Sequence, residues 1–294
     1  MPPIVTGIIA SLLLLINTLF WACLLFPLTF LKVIIPVAPV RKLLTYLLAA
    51  VANAWISCNS GWMTLTQKMN WTIERPDNLS RNGWYFVVSN HQSWVDILVL
   101  QHTLNRRIPL LKFFLKQELI KVPIMGAAWW ALDFPFMKRY SKEYLAKHPE
   151  MKGKDLDTTR AACEKFKDMP TSVMNFLEGT RFTQKKHDET GSPFKHLLKP
   201  KAGGMAFAMS AMGDQFQSIL DVTINYPDGI PTFWDFMQGK MPRCNVVVEE
   251  KPIPAELING DYETDDSYRL HFQQWVQKLW EEKDARLEAL RSGQ

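Results

Sequence analysis

The stretch Trp84-Tyr85-Phe86-Val87-Val88-Ser89-Asn90-His91-Gln92-Ser93-Trp94-Val95-Asp96 decides how this chain is read. An apolar, β-branched and aromatic run ends abruptly in polar residues, and a helix-like segment, Val95 to Leu104, follows. That pattern is a strand, a short loop and a helix, and it sets His91 five positions ahead of Asp96. Histidine suits proton transfer near neutral pH because its ordinary pKa is about 6.5, and a carboxylate on its other ring nitrogen fixes the tautomer and supports the imidazolium.

The spacing alone is weak. Six histidines and 15 aspartates in 294 residues supply roughly 0.3 such pairs by chance, and a buried structural histidine bonded to an aspartate has the same spacing. His91 and Asp96 are nonetheless the one such pair, since Arg107, Gly153, Ser192, Lys201 and Val276 stand five places after the other histidines.

Further β-like runs are Ser172 to Leu177, Ile219 to Ile224 and Asn245 to Glu249, and further helix-like stretches are Asp157 to Phe166, capped by Asp157, and Gly204 to Met212. Strands alternating with helices predict an α/β fold with a mixed, mainly parallel sheet covered by helices. Gln184 to Ser192 is polar and charged and reads as an exposed loop. Asp265 to Arg291 reads as an amphipathic helix whose apolar set is Leu270, Phe272, Trp275, Val276, Leu279, Trp280 and Leu287, with Lys283 breaking the stripe.

Upstream, Ile4 to Leu31 is uncharged and mostly apolar. As a helix it is about 42 Å long against roughly 30 Å of bilayer hydrocarbon, so it has the length to span, and no basic stretch precedes it as in a signal peptide. Lys32, Arg41 and Lys42 follow it, which by the positive-inside bias places the following chain in the cytoplasm. A second apolar segment, Leu43 to Leu65, contains Asn53, Ser57, Asn59, Ser60 and Gly61 and suits an interfacial helix or shallow hairpin better than a clean span. The expected organisation is an anchor over residues 1–65 and a catalytic domain over 66–294.

A net charge of +5 excludes a nucleic-acid footprint for the chain as a whole. Cys23, Cys58, Cys163 and Cys244 are far apart and read as free thiols of a reducing compartment. No cluster has metal-ligand spacing and no glycine-rich nucleotide loop is present, so neither a metal nor a bound cofactor is expected.

A second constellation, Phe176-Leu177-Glu178-Gly179-Thr180-Arg181, ends another apolar run with an acid, a glycine and an arginine in a turn. Glycine permits close backbone approach and a guanidinium grips phosphate with two parallel hydrogen bonds. A strand-terminal turn with a surface salt bridge has the same composition. Together, the His91–Asp96 and Glu178–Arg181 blocks, some 80 residues apart, resemble the glycerolipid acyltransferase family, which includes the 1-acylglycerol-3-phosphate acyltransferases. Phe134-Pro135-Phe136-Met137-Lys138-Arg139 is similar to the family's intervening block. The final block, Ile219 to Ile224, lacks the usual proline, and Leu177 replaces the proline common before Glu178; both departures resemble the lysocardiolipin-type subgroup.

The resemblance implies an O-acyltransferase that moves a fatty acyl group from an acyl thioester, acyl-CoA or acyl-ACP, to the free hydroxyl of a lysophospholipid, 1-acylglycerol-3-phosphate foremost. It implies His91 as general base with Asp96 behind it, and Arg139, Glu178, Gly179, Thr180 and Arg181 as the substrate-binding set. Lys199 and Lys201 face either solvent or the donor's phosphates. The implied setting is a bacterial inner membrane with the catalytic domain on its cytoplasmic side. The alternatives are another lysophospholipid acceptor or a catalytically idle, lipid-binding membrane scaffold. A phosphate-ester hydrolase lacks a paired nucleophile or metal site.

Overall fold

The computed structural model describes residues 1–137, 166, 169–258, 260–262 and 264–293. In chain order the helices are α1 (Pro3–Ile34), α2 (Ala38–Thr66), α3 (Val95–Leu104), α4 (Met125–Ala131), α5 (Gln184–Thr190), α6 (Gly203–Met212), α7 (Phe233–Met237) and α8 (Asp266–Ser292). The strands are β1 (Asn70–Glu74), β2 (Tyr85–Ser89), β3 (Leu111–Phe113), β4 (Leu115–Lys116), β5 (Phe136–Met137), β6 (Ser172–Phe176), β7 (Ser218–Asn225) and β8 (Arg243–Lys251). The expected helix Asp157 to Phe166, and with it the cap Asp157, lies outside the described residues apart from Phe166.

Six strands form one sheet in the order β1-β8-β7-β2-β6-β3. Every neighbouring pair is parallel except β7 and β8, so the sheet is mixed and mainly parallel, as expected. β2 and β7 are buried at every residue, which is why both are rich in apolar and β-branched residues, although β7 also buries Asp221, Thr223 and Asn225. Alternation still sorts their side chains. Tyr85 and Val87 pack with α3 and with Trp62 of α2, whereas Phe86 and Val88 pack with Met205 and Met209 of α6 and Trp280 of α8. Each fully buried aliphatic or phenyl group contributes about 1.5–3 kcal/mol relative to exposure.

The α8 helix starts at an Asp265 side chain that accepts from the Tyr268 amide and buries Phe272, Val276, Leu279, Trp280 and Leu287. Two details depart from expectation. Leu270 is exposed, on the outer face, and Lys283 belongs to the buried stripe. Lys283 pairs with Asp221 of β7 and donates to the Val222 carbonyl at 2.6 Å, while Arg286 donates to the same aspartate at 3.2 Å and to Thr223 Oγ1 at 2.8 Å. The apparent break is the cation that lets a central strand carry a buried carboxylate.

A further correction concerns Gln184 to Ser192, which is a short helix over Gln184–Thr190 rather than a loop. The Thr183 side chain accepts from the Lys186 amide at its start, and Gly191 closes it in the left-handed region at φ 54°. An almost wholly charged and exposed segment carries no apolar period, so only its caps announce it.

The apolar segment after residue 43 is part of one continuous helix, α2, antiparallel to α1 across the turn at residues 35–37. Its polar residues face partners. Asn17 of α1 donates to Asn59 Oδ1 at 2.8 Å and to the Trp55 carbonyl at 3.1 Å, Ser57 accepts from Asn105 at 2.9 Å, and Ser60 meets His102 at 2.9 Å. Both helices are long and apolar enough to cross a membrane by length and composition. The folded part nevertheless touches α1 at both ends: Gly7 lies against the Trp234 ring of α7, and Lys32 bonds Asp133 at 2.5 Å.

The Lys283→Met variant is expected to lose about 3–5 kcal/mol of stability, because it strips the closest counter-charge from a buried carboxylate. Adding Asp221→Asn removes the unpaired charge and recovers part of that loss; thermal unfolding in detergent reads both.

Candidate active site

The parallel register aligns Ser89 and Phe176, the last residues of β2 and β6, with Val222 of β7, which runs three residues further, so three neighbouring parallel strands point their carboxyl ends toward the same edge of the sheet. Such strand ends are where open α/β sheets bind ligands. From β2 come Asn90 and His91, from β6 Glu178 to Arg181, and from β7 Tyr226.

His91 is held on several sides. Its Nδ1 lies 2.8 Å from Asp96 Oδ2, its ring stacks on Phe176 with centroids 3.9 Å apart and planes 15° from parallel, and its amide donates to Glu178 Oε1 at 2.7 Å. Its carbonyl accepts from the Phe182 amide at 2.7 Å. The preceding residue is clamped as well, since the Asn90 side chain accepts from the Ile224 amide at 2.8 Å and donates to the Ile224 carbonyl at 2.9 Å. With Nδ1 facing a carboxylate, the imidazole's basic lone pair sits on Nε2, and the ring lines a cavity.

Asp96 is fully buried in the first turn of α3, where the helix dipole favours negative charge. Its Oδ2 also accepts from the Gln92 amide at 2.6 Å and the Ser93 amide at 2.9 Å, and its Oδ1 accepts from the Tyr226 hydroxyl at 2.6 Å. Burial, then the nearby Asp96 charge, push the Tyr226 phenol well above its usual range, so it remains a donor.

The Glu178 carboxylate does not face the cavity. It is buried and joins two loops, accepting from the His91 amide and, through Oε2, from the Leu198 amide at 2.9 Å. Burial pushes its pKa up to about 7; the two amide donors and the Lys283 charge pull it down, and Asp96 adds a smaller upward push. Gly179 turns the chain at φ 68°, a left-handed conformation, with the Lys201 side chain 3.2 Å from where a Cβ would stand. Thr180 Oγ1 accepts from Lys186 at 2.7 Å, and the same ammonium caps the Arg181 carbonyl at 3.0 Å.

Arg181 is exposed, and its guanidinium lies 4.9 Å from the centre of the Trp94 ring, so a residue of the first block places the arginine of the second. His91, Gly179, Thr180 and Arg181 all open onto a cavity of about 470 Å³. Its remaining walls are mostly aromatic and aliphatic: Phe113 and Phe176 from the sheet, Trp21 and Leu25 from α1, Trp55 and Ile56 from α2, Trp129 and Leu132 beside α4. The volume falls in the range of about 300–1,000 Å³ usual for small-molecule sites. A basic nitrogen and a fixed cation therefore share one mouth of a carbon-lined chamber.

His91 and Asp96 meet as expected, and Arg181 and Gly179 join them at the cavity, while Glu178 supports the site from behind. Arg139 and its neighbour Lys138 lie outside the described residues. Sequence reasoning missed Asn90, Trp94, Phe176 and Tyr226 as parts of the site. The first three stand inside the quoted blocks; Tyr226, 130 positions from Asp96, carries no local signal.

A profile of the acyltransferase family matches residues 70–227. The 1-acyl-sn-glycerol-3-phosphate acyltransferase delta of Homo sapiens is 30% identical over 213 residues, covering 68% of this chain and 51% of that protein. The gamma enzyme of Mus musculus shows the same identity and coverage. This chain thus spans about half the length of these relatives. The crystal structure of the 1-acyl-sn-glycerophosphate acyltransferase from Thermotoga maritima superposes with a TM-score of 0.52 at 17% identity, over 94% of this chain and 97% of that one, a likeness of fold.

Because the Glu178 pKa in the folded protein lies above its ordinary value, its stabilising effect is full at low pH and fades as pH rises through about 7. Unfolding temperature measured from pH 5 to 8 is expected to fall more steeply in the wild-type protein than in Glu178→Gln, which has no group to ionise there. Parallel slopes count against that assignment.

Proposed function

This chain belongs to the acyltransferase family, and we propose that it transfers a fatty acyl group from an acyl thioester, acyl-CoA or acyl-ACP, to the free hydroxyl of a lysophospholipid, foremost 1-acylglycerol-3-phosphate, giving phosphatidic acid. The observation that carries this reading is that the free edge of His91 and the Arg181 guanidinium open onto the same apolar cavity. A lysolipid offers a hydroxyl, a phosphate and an alkyl chain, and these three chemistries match those three features.

In the reaction so assigned, His91 Nε2 takes the hydroxyl proton as the acceptor oxygen attacks the thioester carbonyl carbon. The tetrahedral intermediate collapses with cleavage of the carbon–sulfur bond, and the imidazolium returns the proton to the leaving thiolate. Asp96 holds the tautomer and stabilises the imidazolium. Arg181 grips the acceptor phosphate, assisted by Arg139 as the family resemblance implies, with Gly179 and Thr180 shaping the turn and Glu178 fixing the His91 backbone. The sequence of steps uses no metal and no cofactor beyond the donor thioester.

We also propose that the two N-terminal helices bind the membrane by lying within one face of it. The outer side of α1 exposes Ile4, Ile8, Leu12, Leu15, Ile16, Leu19 and Phe20, and the opposite side packs on the domain. Contacts from Gly7 to Lys32 extend over about 38 Å of helix, which exceeds the roughly 30 Å hydrocarbon core. A helix braced along that length by a folded domain with water-soluble loops cannot cross the bilayer while the domain stays in water. Half-immersion leaves the cavity, walled by both helices, in reach of lipid-borne substrates. The cytoplasmic side of a bacterial inner membrane is the setting we assign.

Purified full-length protein given labelled acyl-CoA and a panel of lysophospholipids should form diacyl product, and His91→Ala should abolish it while the protein still folds. Arg181→Ala is expected to raise KM for phosphate-bearing acceptors and lower kcat/KM by the equivalent of about 2–5 kcal/mol. Turnover retained by His91→Ala removes that residue from the mechanism, and unchanged acceptor kinetics return Arg181 to a surface role.

A further inference from the structure

We propose that Tyr226 is a positioning residue of the His91–Asp96 pair, setting the proton affinity of His91 through the far oxygen of Asp96. This rests on the acyl-transfer reading for its kinetic consequence, but not for its geometry.

Asp96 uses its two oxygens differently. Oδ2 serves His91 Nδ1 and the Gln92 and Ser93 amides, all within the same short loop. Oδ1 receives the Tyr226 hydroxyl at 2.6 Å, from the residue that follows β7. The three donors on Oδ2 all come from one short loop, whereas the donor on Oδ1 ties the carboxylate to the end of β7, so the two oxygens are held by different parts of the fold. The Tyr226 backbone is itself fixed, because the clamp between Asn90 and Ile224 ties the end of β7 to the start of the His91 loop.

The charged and titratable groups around Asp96 arrive from every side of the site. His91 faces it from the loop after β2, Tyr226 from the end of β7, Cys244 from β8 and Glu178 from the turn after β6. Burial and the Asp96 charge push the Cys244 thiol up, so it stays neutral, and Glu178 changes charge near pH 7. Of these groups only His91 and Tyr226 bond the carboxylate directly, and Tyr226 stays a neutral donor throughout the proton transfer. It withdraws electron density from Asp96 and so weakens the pull of Asp96 on the imidazolium.

β7 ends one residue before this tyrosine, so the strand reaches the site both through the Ile224 clamp on Asn90 and through a hydrogen bond from behind Asp96.

The test is Tyr226→Phe in the full-length protein, which deletes one oxygen and leaves the ring. Without the donor Asp96 is more basic, and His91 is expected to titrate higher by about half a unit or more. Selective ¹³C-histidine NMR, with His91→Ala to assign the resonance, reads that shift without requiring turnover. In kinetics the acid limb of kcat/KM should move to higher pH by the same amount, and kcat should fall about tenfold or more with the acceptor KM unchanged. In an Asp96→Asn background the same change should cost less than about twofold further, because the two act as one unit. Incorporation of 3-fluorotyrosine at position 226, a stronger donor of nearly the same shape, should shift His91 the opposite way, and it serves if the phenylalanine variant fails to fold.

A His91 titration that stays in place in both variants overturns the proposal, as does a fall in kcat with an unmoved acid limb, which a purely structural tyrosine would give. Absence of acyl transfer from the wild-type protein to every lysophospholipid tested would instead count against the proposed function, and the NMR titration would still decide the role of Tyr226.

Discussion

A carboxylate with no access to water must have its charge answered by hydrogen bonds, and Asp96 imposes that constraint on everything around it. The first turn of α3 has to begin where it does so that two amides reach Oδ2. The His91 ring has to turn its Nδ1 inward, which leaves Nε2 outward. The end of β7 has to lie close enough for a phenol to reach Oδ1. A second buried carboxyl group, Glu178, then fixes the His91 backbone to the Leu198 loop, so the imidazole is positioned by acidic side chains at both its ring and its amide. The sheet supplies the common origin, because β6 and β2 end in register and β7, beside β2, continues three residues further, to Asn225.

The parts of this arrangement that could be read from the chain are those encoded within a few residues. The strand, loop and helix around His91 are one local pattern, and His91 and Asp96 meet because five positions across a helix start bring them together. The Glu-Gly-Thr-Arg turn was legible as a partner only through its likeness to a family, since composition alone makes it an ordinary turn. The central strands announced themselves by burial on both faces, and α6 and α8 by their apolar content.

What escaped depended on contacts distant in sequence or on caps. Lys283 looked like a fault in an amphipathic stripe because its partner, Asp221, is 62 positions away. The α5 helix has no apolar period and is specified by Thr183 and Gly191 at its ends. In α2 the serines and asparagines lowered the apparent hydrophobicity, yet Asn59 meets α1, Ser60 meets α3 and Ser57 meets Asn105 just after α3, so they are contacts of one continuous helix rather than signs of a hairpin. Leu270 shows the reverse error, an apolar residue at helical spacing that the fold leaves outside.

The chamber beside His91 is completed by side chains from the two N-terminal helices, Trp21, Leu25, Trp55 and Ile56 among them. The same helices carry the outward apolar surface. One pair of helices thus carries both an outward apolar surface and one side of the chamber that His91 lines. A chain trimmed to begin at β1 would keep His91 and Asp96 but lose the side of the chamber that α1 and α2 supply, so the outward apolar surface and the chamber stand or fall together.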